Sequence, residues 1–393
     1  MRPRPKNTGT ASRARASKLP VLLLCLLLTA CGREAQEPVL ELPDLPNAPE
    51  SPRNPEKTSG WSGIAENLYS LDITLIFGEI EQILASEDKA LIFARSETGI
   101  TLYPYGLENG LPASEPLPLG DILWYPTEPL ADGTLPLVRS EGEPGQWQTV
   151  LFLDPADLSV QTMHIPRPGS YYGLHFSPDR QYAALSTFDG LQVLDGATMT
   201  QLLLAVPVVY EETADHAERQ TVWAETWPSG TLLTARLAEP DLVRCPVIID
   251  MVDKSVTYVT ELDLCQGRFL SDGRMLWHNY FRFAPAGTYD LKTGKRTELV
   301  FLDTLHSDVM SCIALSRDSV ALSYIVKEQD VPKDAWISVM TLNRGFTVAR
   351  ASLPLEGRYG AFEQLSFTPD GTTLLALFDP DAGPKQVLRL PLS

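Results

Sequence analysis

The sequence predicts an all-β chain folded as a seven-bladed β-propeller of four-stranded antiparallel blades, and three observations predict it. A turn of Ser-Pro-Asp-Gly type recurs seven times at a near-constant interval. Most copies lead into a continuously apolar run rather than an alternating one. No long stretch past residue 60 keeps a 3.6-residue apolar period, so no helical layer is expected.

The clearest copy of the unit runs from Leu365 to Phe378. Pro369 presets φ for the first corner of its turn, Asp370 hydrogen-bonds nearby backbone, and Gly371 takes the positive φ that other residues resist. Weaker copies stand at Ser86-Glu87-Asp88-Lys89, Ala131-Asp132-Gly133-Thr134, Ser177-Pro178-Asp179-Arg180, Pro228-Ser229-Gly230-Thr231, Ser271-Asp272-Gly273-Arg274 and Ser316-Arg317-Asp318-Ser319. Counted at the Asp, or at Ser229 in its place, the steps are 44, 47, 50, 43, 46 and 52 residues. Roughly 40 to 50 residues is the period of a four-stranded blade.

In chain order, the post-turn runs include Ala90 to Ala94, Tyr182 to Leu185, Leu232 to Ala235, Met275 to Trp277 and Val320 to Tyr324. Their unbroken apolarity suits strands covered on both faces, which stacked blades provide. Third strands follow at Gly190 to Asp195, Val247 to Asp250, Thr288 to Leu291 and Ile337 to Met340. Several end in an Asp-x-x-Thr-Gly type hairpin, clearest at Asp290 to Lys295. The last copy supplies only three strands, near Phe362 to Phe367, Thr373 to Phe378 and Val387 to Leu392. The segment Tyr69 to Leu75 is expected to pair with the last of these as a fourth, outer strand, so that N-terminal strand pairing closes the ring without an unpaired seam. Six or eight blades remain as alternatives, since the copy at Ala131 has a Pro-rich approach and the one at Ser229 has lost its Asp. One helical candidate, Glu211 to Trp223, sits in a connection.

The succession of strand, Ser-Pro-Asp-Gly, apolar strand and Val-Leu-Asp type strand resembles the WD-repeat-like propellers of bacterial envelopes, of which the Tol-system propeller protein is an example. The resemblance covers about residues 65 to 393, and the copies are degenerate, with no Trp-Asp signature at the third strands.

Ahead of the repeats, Arg2, Arg4, Lys6, Arg13, Arg15 and Lys18 precede any acidic residue, and an apolar run from Val21 to Leu28 follows. The run is too short to span a bilayer and has the form of a signal-peptide core, giving a signal segment over residues 1–30. The residues Leu28-Thr29-Ala30-Cys31-Gly32 resemble the bacterial lipoprotein signal. That resemblance implies cleavage before Cys31 and its acylation on sulfur and on the new amino terminus. The alternative is an ordinary secretory signal cut after Ala30, with Cys31 an incidental thiol. Two or three acyl chains would anchor the protein stably on the extracytoplasmic side of a membrane. Gly32 after the Cys leaves both an outer membrane and a single cell membrane open. Residues 31–62 then read as a Pro-rich disordered tether, at about 3.1 Å per residue when extended, ahead of a propeller domain over 63–393.

The 393 residues carry 32 basic and 50 acidic side chains. Without the six basic residues of the leader the balance is −24, which argues against nucleic acid as a partner and against lying on anionic lipid. In an oxidising compartment Cys245, Cys265 and Cys312 remain; Cys245, at the start of a third strand, and Cys265, in the connection to the next blade, are expected on one face as a disulfide, with Cys312 a buried thiol.

No His pair stands at metal-ligand spacing, no Cys-x-x-Cys occurs, and no nucleophile elbow, phosphate loop or dinucleotide fingerprint is present, so no metal or cofactor is assigned. His175, in Leu174-His175-Phe176 on an expected innermost strand, is the channel candidate, to be weighed against an ordinary hydrogen-bonded strand histidine. The hairpins between second and third strands and the connections between blades share one face. Several are expected to be long, Lys327 to Trp336 among them, and most are aromatic, carrying Trp147, Tyr171, Tyr172, Tyr210, Tyr280, Phe281 and Phe283, a recognition-type composition. The expected function is a lipid-anchored, non-enzymatic binding or scaffold module for a partner protein or an envelope glycan. The alternative is a lactonase-like propeller hydrolase with a central-channel site.

Overall fold

The computed structural model describes residues 68–392 apart from 125–128, 141–146, 167–170, 188, 208–219, 240–241, 264, 271–272, 280–285, 300–306, 317–318, 329–330, 342–346, 356–358 and 382. These residues form seven four-stranded antiparallel sheets, with one 3-10 turn at Thr260–Leu262.

The short strand β1 (Tyr69–Ser70) precedes blade 1, made of β2 (Glu79–Ala85), β3 (Lys89–Ser96), β4 (Gly99–Gly106) and β5 (Leu117–Gly120). Blade 2 comprises β6 (Ile122–Trp124), β7 (Leu135–Ser140), β8 (Trp147–Leu153) and β9 (Val160–Pro166). Blade 3 has β10 (Tyr171–Phe176), β11 (Tyr182–Thr187), β12 (Gly190–Asp195) and β13 (Gln201–Ala205). Blade 4 has β14 (Thr221–Thr226), β15 (Leu232–Glu239), β16 (Leu242–Asp250) and β17 (Ser255–Tyr258). Blade 5 has β18 (Cys265–Phe269), β19 (Met275–Asn279), β20 (Ala286–Asp290) and β21 (Lys295–Leu299). Blade 6 has β22 (Ser307–Leu315), β23 (Ser319–Glu328), β24 (Val331–Thr341) and β25 (Thr347–Pro354). Blade 7 has β26 (Gly360–Phe367), β27 (Thr373–Pro380) and β28 (Gln386–Pro391), and takes β1 as its fourth strand.

All seven turns read from the sequence link the first and second strands of a blade, which rules out the six- and eight-blade alternatives. In the last of them Gly371 sits at φ 71° and donates to the Thr368 carbonyl at 2.8 Å. Asp370 Oδ1 accepts from the Thr372 amide at 3.0 Å and the Thr368 hydroxyl at 2.6 Å.

The second strands are apolar throughout because alternate residues serve two interfaces. On β3, Ala90, Ile92 and Ala94 pack with Leu375, Leu377 and Val387 of blade 7. Leu91 and Phe93 point the other way, to Ile122, Leu135 and Leu137 of blade 2. The same division recurs between blades 2 and 3, 3 and 4, 5 and 6, and 6 and 7. The first strands of neighbouring blades touch, as in β2 with β26, β10 with β14 and β22 with β26, and so form the inner wall.

Closure follows the expected pairing over a shorter span. Tyr69 faces Arg389 and Ser70 faces Leu388, and the Leu71 amide donates to the Val387 carbonyl at 2.9 Å. From Asp72 the chain leaves the sheet: Ile73 N–H bonds back to Leu71 O at 3.1 Å and Ile76 N–H to Ile73 O at 3.0 Å. Three further expectations are corrected. The end of the helical candidate, from Thr221 to Trp223, is part of β14, while 211–219 lie outside the described residues. The stretch Lys327 to Trp336 is no loop, because β23 and β24 run on as a long hairpin down to the pair Glu328 and Val331. Cys265 opens β18 rather than a connection, and no disulfide joins it to Cys245. Cys245 packs in the core between blades 3 and 4, and the Cys265 thiol, its pKa raised by burial, donates to the Asp263 carbonyl at 3.4 Å.

Candidate functional site

Two places gather polar chemistry: the inner wall near His175, and the seam where blade 7 meets blade 1.

The inner wall is shaped by bulges. The register of β2, β14 and β26 skips one residue, and the residue skipped is Glu81, Glu225 and Glu363 respectively. A bulge re-aims the extra side chain. Each of these carboxylates meets a cation of its own blade: Glu81 pairs with Arg95, Glu225 with Arg236 at 3.4 Å, and Glu363 with Lys385 at 2.9 Å. Arg95 also reaches Asp121 at 3.0 Å and the Ile122 carbonyl at 3.0 Å, tying blade 1 to blade 2.

His175 stands on the innermost strand of blade 3, as expected, half-buried. Burial, with a smaller contribution from the Arg236 charge, lowers its pKa to about 4. Its carbonyl accepts from Trp227 Nε1 at 3.1 Å, and that indole stacks on Tyr182 at 5.9 Å. Glu225 lines the same pocket with its pKa raised by burial, against the lowering effect of Arg236 and Arg268, and its Oε2 has no hydrogen-bond partner among the described residues. The pocket holds about 40 Å³, bounded by Leu174, Phe176, Pro178 and Trp227. That is room for a few waters, far below the roughly 300 to 1,000 Å³ of a ligand site. This pocket therefore sets a neutral imidazole beside a paired carboxylate in a volume too small for a substrate. Among the described residues, no three His, Cys, Asp or Glu side chains converge as metal ligands would.

The seam is larger. A groove of about 780 Å³ lies between the β1–β2 connection and the β27–β28 hairpin, on the face that carries the hairpins between second and third strands. Leu71, Ile73, Ile76 and Ile80 line it, and beside it Leu75 is 59% and Phe77 76% exposed. Its corner depends on Gly78 at φ 107°, where a Cβ would stand 2.2 Å from the Arg95 carbonyl oxygen. The Tyr103 hydroxyl braces the connection through the Phe77 amide at 3.3 Å. At the rim, Asp72 Oδ1 accepts from the Thr74 hydroxyl at 2.7 Å and the Thr74 amide at 3.3 Å, and these bonds lower its pKa. Lys385 Nζ bonds Glu363 at 2.9 Å and the Ile80 carbonyl at 3.1 Å, with Glu79 3.8 Å away. Burial works against its charge, but Glu363, with Asp379 and Glu79, raises its pKa.

The structure separates the sequence candidates. Tyr171 and Tyr172 belong to β10, and Trp147 opens β8, so all three start strands instead of occupying loops; their side chains lie outside the described ones. Cys31, Tyr210, Tyr280, Phe281 and Phe283 lie outside the described residues. Cys312 is a half-buried thiol whose Sγ donates to the Phe362 carbonyl at 3.4 Å; burial pushes its pKa up to about 12 despite the Ser323 hydroxyl at 3.0 Å. The seam groove is not legible in the sequence because the segment Tyr69 to Leu75 reads as an outer strand throughout. Its signal was the surplus of apolar side chains, Leu75, Ile76 and Phe77, beyond what one strand face uses.

No protein-family model matches the chain, and no curated protein matches it. Solved structures do. The Cps50 (Swd1) beta-propeller domain of Myceliophteria thermophila is 15% identical at a TM-score of 0.52, over 81% of this chain and 98% of that one. U3-55K is 13% identical at a TM-score of 0.52, over 83% of this chain and 98% of its own. At such identities the likeness speaks for the fold, and the fold is a WD40-like seven-bladed β-propeller.

Proposed function

We propose that this chain is a lipid-anchored, extracytoplasmic propeller that binds a partner protein and catalyses no reaction. The observation that carries the binding reading is the seam groove: a concavity of about 780 Å³ with an aliphatic lining and exposed Leu75 and Phe77 beside it. Apolar surface gathered around a cleft and rimmed by charge is the composition of a recognition site. An aliphatic lining suits a peptide better than a glycan. The hydrolase alternative is disfavoured by the size of the pocket at His175. The anchor rests on the signal-like run ending at Cys31 and the Pro-rich stretch after it.

Two measurements test the reading. Cys31→Ala is expected to move the protein from the membrane to the soluble fraction and to abolish acyl labelling; an acylated or still membrane-bound variant removes the anchor. A photo-crosslinking side chain at Phe77 is expected to give a discrete protein adduct in cells, and the same group at Thr372, in a turn on the opposite face, none. Equal labelling from both positions, or none from Phe77, removes the groove as the recognition site.

A further inference from the structure

We propose that the seam groove takes a short extended peptide segment of the partner, one that carries aliphatic side chains interleaved with lysine or arginine. This rests on the reading of the groove as the recognition site and adds the chemistry of what enters it. The lining formed by Leu71, Ile73, Ile76 and Ile80 offers no charge to an occupant, and its volume accommodates a few side chains rather than a folded element.

The charge at the rim decides the rest. Lys385, the one cation among the described lining residues, is engaged by Glu363 and by the Ile80 carbonyl. One lysine does not balance the carboxylates around it, and the charge that faces an occupant is negative: Asp72, held in place by Thr74, and Glu79, which stands 3.8 Å from Lys385 with its side chain 76% exposed. The backbone between them is already engaged, the amides of Ile73 and Ile76 donating to Leu71 and Ile73 in local turns and that of Asp72 to the Gly110 carbonyl of the loop after β4. An occupant thus gains from apolar burial below and from cations above. An anionic lipid surface meets its own sign, both here and over a chain with 50 acidic against 32 basic residues, and is repelled.

The purified full chain in detergent micelles, with empty micelles subtracted, tests this by fluorescence anisotropy. The probes are labelled peptides alternating Leu with Lys, with Glu, or with Gln. The Lys peptide is expected to bind most tightly, the Glu peptide least, and the preference to shrink as salt rises from roughly 50 to 500 mM. The double variant Asp72→Asn with Glu79→Gln, which keeps the acceptors for Thr74, is expected to weaken the Lys peptide about fivefold, the scale of two exposed ion pairs, and to leave the Gln peptide unchanged. Equal binding of Lys and Glu peptides, or a double variant that folds normally and binds the Lys peptide undiminished, overturns the proposal. So does co-sedimentation with phosphatidylglycerol vesicles that the same variant strengthens and that a charged residue at Phe77 abolishes, which would assign the groove to lipid. A protein adduct at Phe77 together with charge-blind peptide binding would retain the recognition site and reject only this chemistry.

Discussion

Burial, joined by the Arg236 guanidinium, holds the His175 imidazole neutral down to about pH 4, against an ordinary value of 6.5. A depressed folded-state pKa means stability that is present above pH 6.5 and lost as the pH falls through about 4. At full expression that is about 3 kcal/mol. Glu225 acts in the opposite sense: its raised pKa gives stability that is present at low pH and lost as pH rises through its folded value, so the two partly offset each other on acidification. The comparison of wild type with His175→Gln isolates the imidazole. Urea midpoints are expected to fall further for wild type than for the variant between pH 7 and pH 4. Parallel slopes would show that the ring is already solvated. Other single residues were legible once their turn was known. Asp154, Asp195, Asp250 and Asp290 each accept, through the main-chain carbonyl or side chain, from the turn that follows them. The position four residues on takes positive φ in every case, at Leu158, Met199, Lys254 and Gly294. Only Gly294 announces that conformation in its residue type.

At the scale of the element, neighbouring blades are joined by side chains that satisfy inner-strand backbone. The Ala224 amide of β14 donates to Ser186 Oγ of blade 3 at 2.9 Å, and the Ile83 and Ala85 amides of β2 donate to Gln364 Oε1 and Ser366 Oγ of blade 7 at 2.8 and 2.9 Å. An inner strand lacks a ladder partner on its channel side, so each buried amide there needs one from elsewhere. Ser186→Ala leaves the buried Ala224 amide without its acceptor and is expected to cost about 1–3 kcal/mol. Chemical denaturation of the purified variant measures it, and a loss under a few tenths would mean that water replaces the serine. None of these bonds is visible in the sequence, because a serine on an apolar strand declares neither its face nor its neighbour. The existence of the strands was visible, since their apolar residues feed two interfaces and leave an unbroken run.

Across the whole molecule, closure rests on few residues. The β1–β28 pairing spans Tyr69 and Ser70, with Leu71 adding one amide bond and a side chain buried in the core between blades 7 and 1. Arg389 reinforces it, stacking over Tyr69 at 5.3 Å and reaching the Leu107 and Glu108 carbonyls of blade 1. Deleting residues 69–75 exposes the β28 edge and removes Leu71 and Ile73 from the seam. Thermal melting is expected to drop by several degrees, with blades 7 and 1 exchanging amide hydrogens first. Uniform protection across all seven blades would place the stability of the ring elsewhere. Period, turn chemistry and apolar runs were enough, by themselves, to specify a ring of repeated four-stranded sheets, seven by the count of turns, and the N-terminal strand that completes the last, because those signals are local and recur along the chain. The pairing of the strands then excluded six and eight. What only the tertiary structure decided is where the carboxylates at the bulges find their cations and where the chain leaves the sheet at Asp72 to open a groove. The first depends on where the register of an inner strand slips, and the second on blade 7 lying against blade 1, a relation between residues some three hundred positions apart that no local pattern carries.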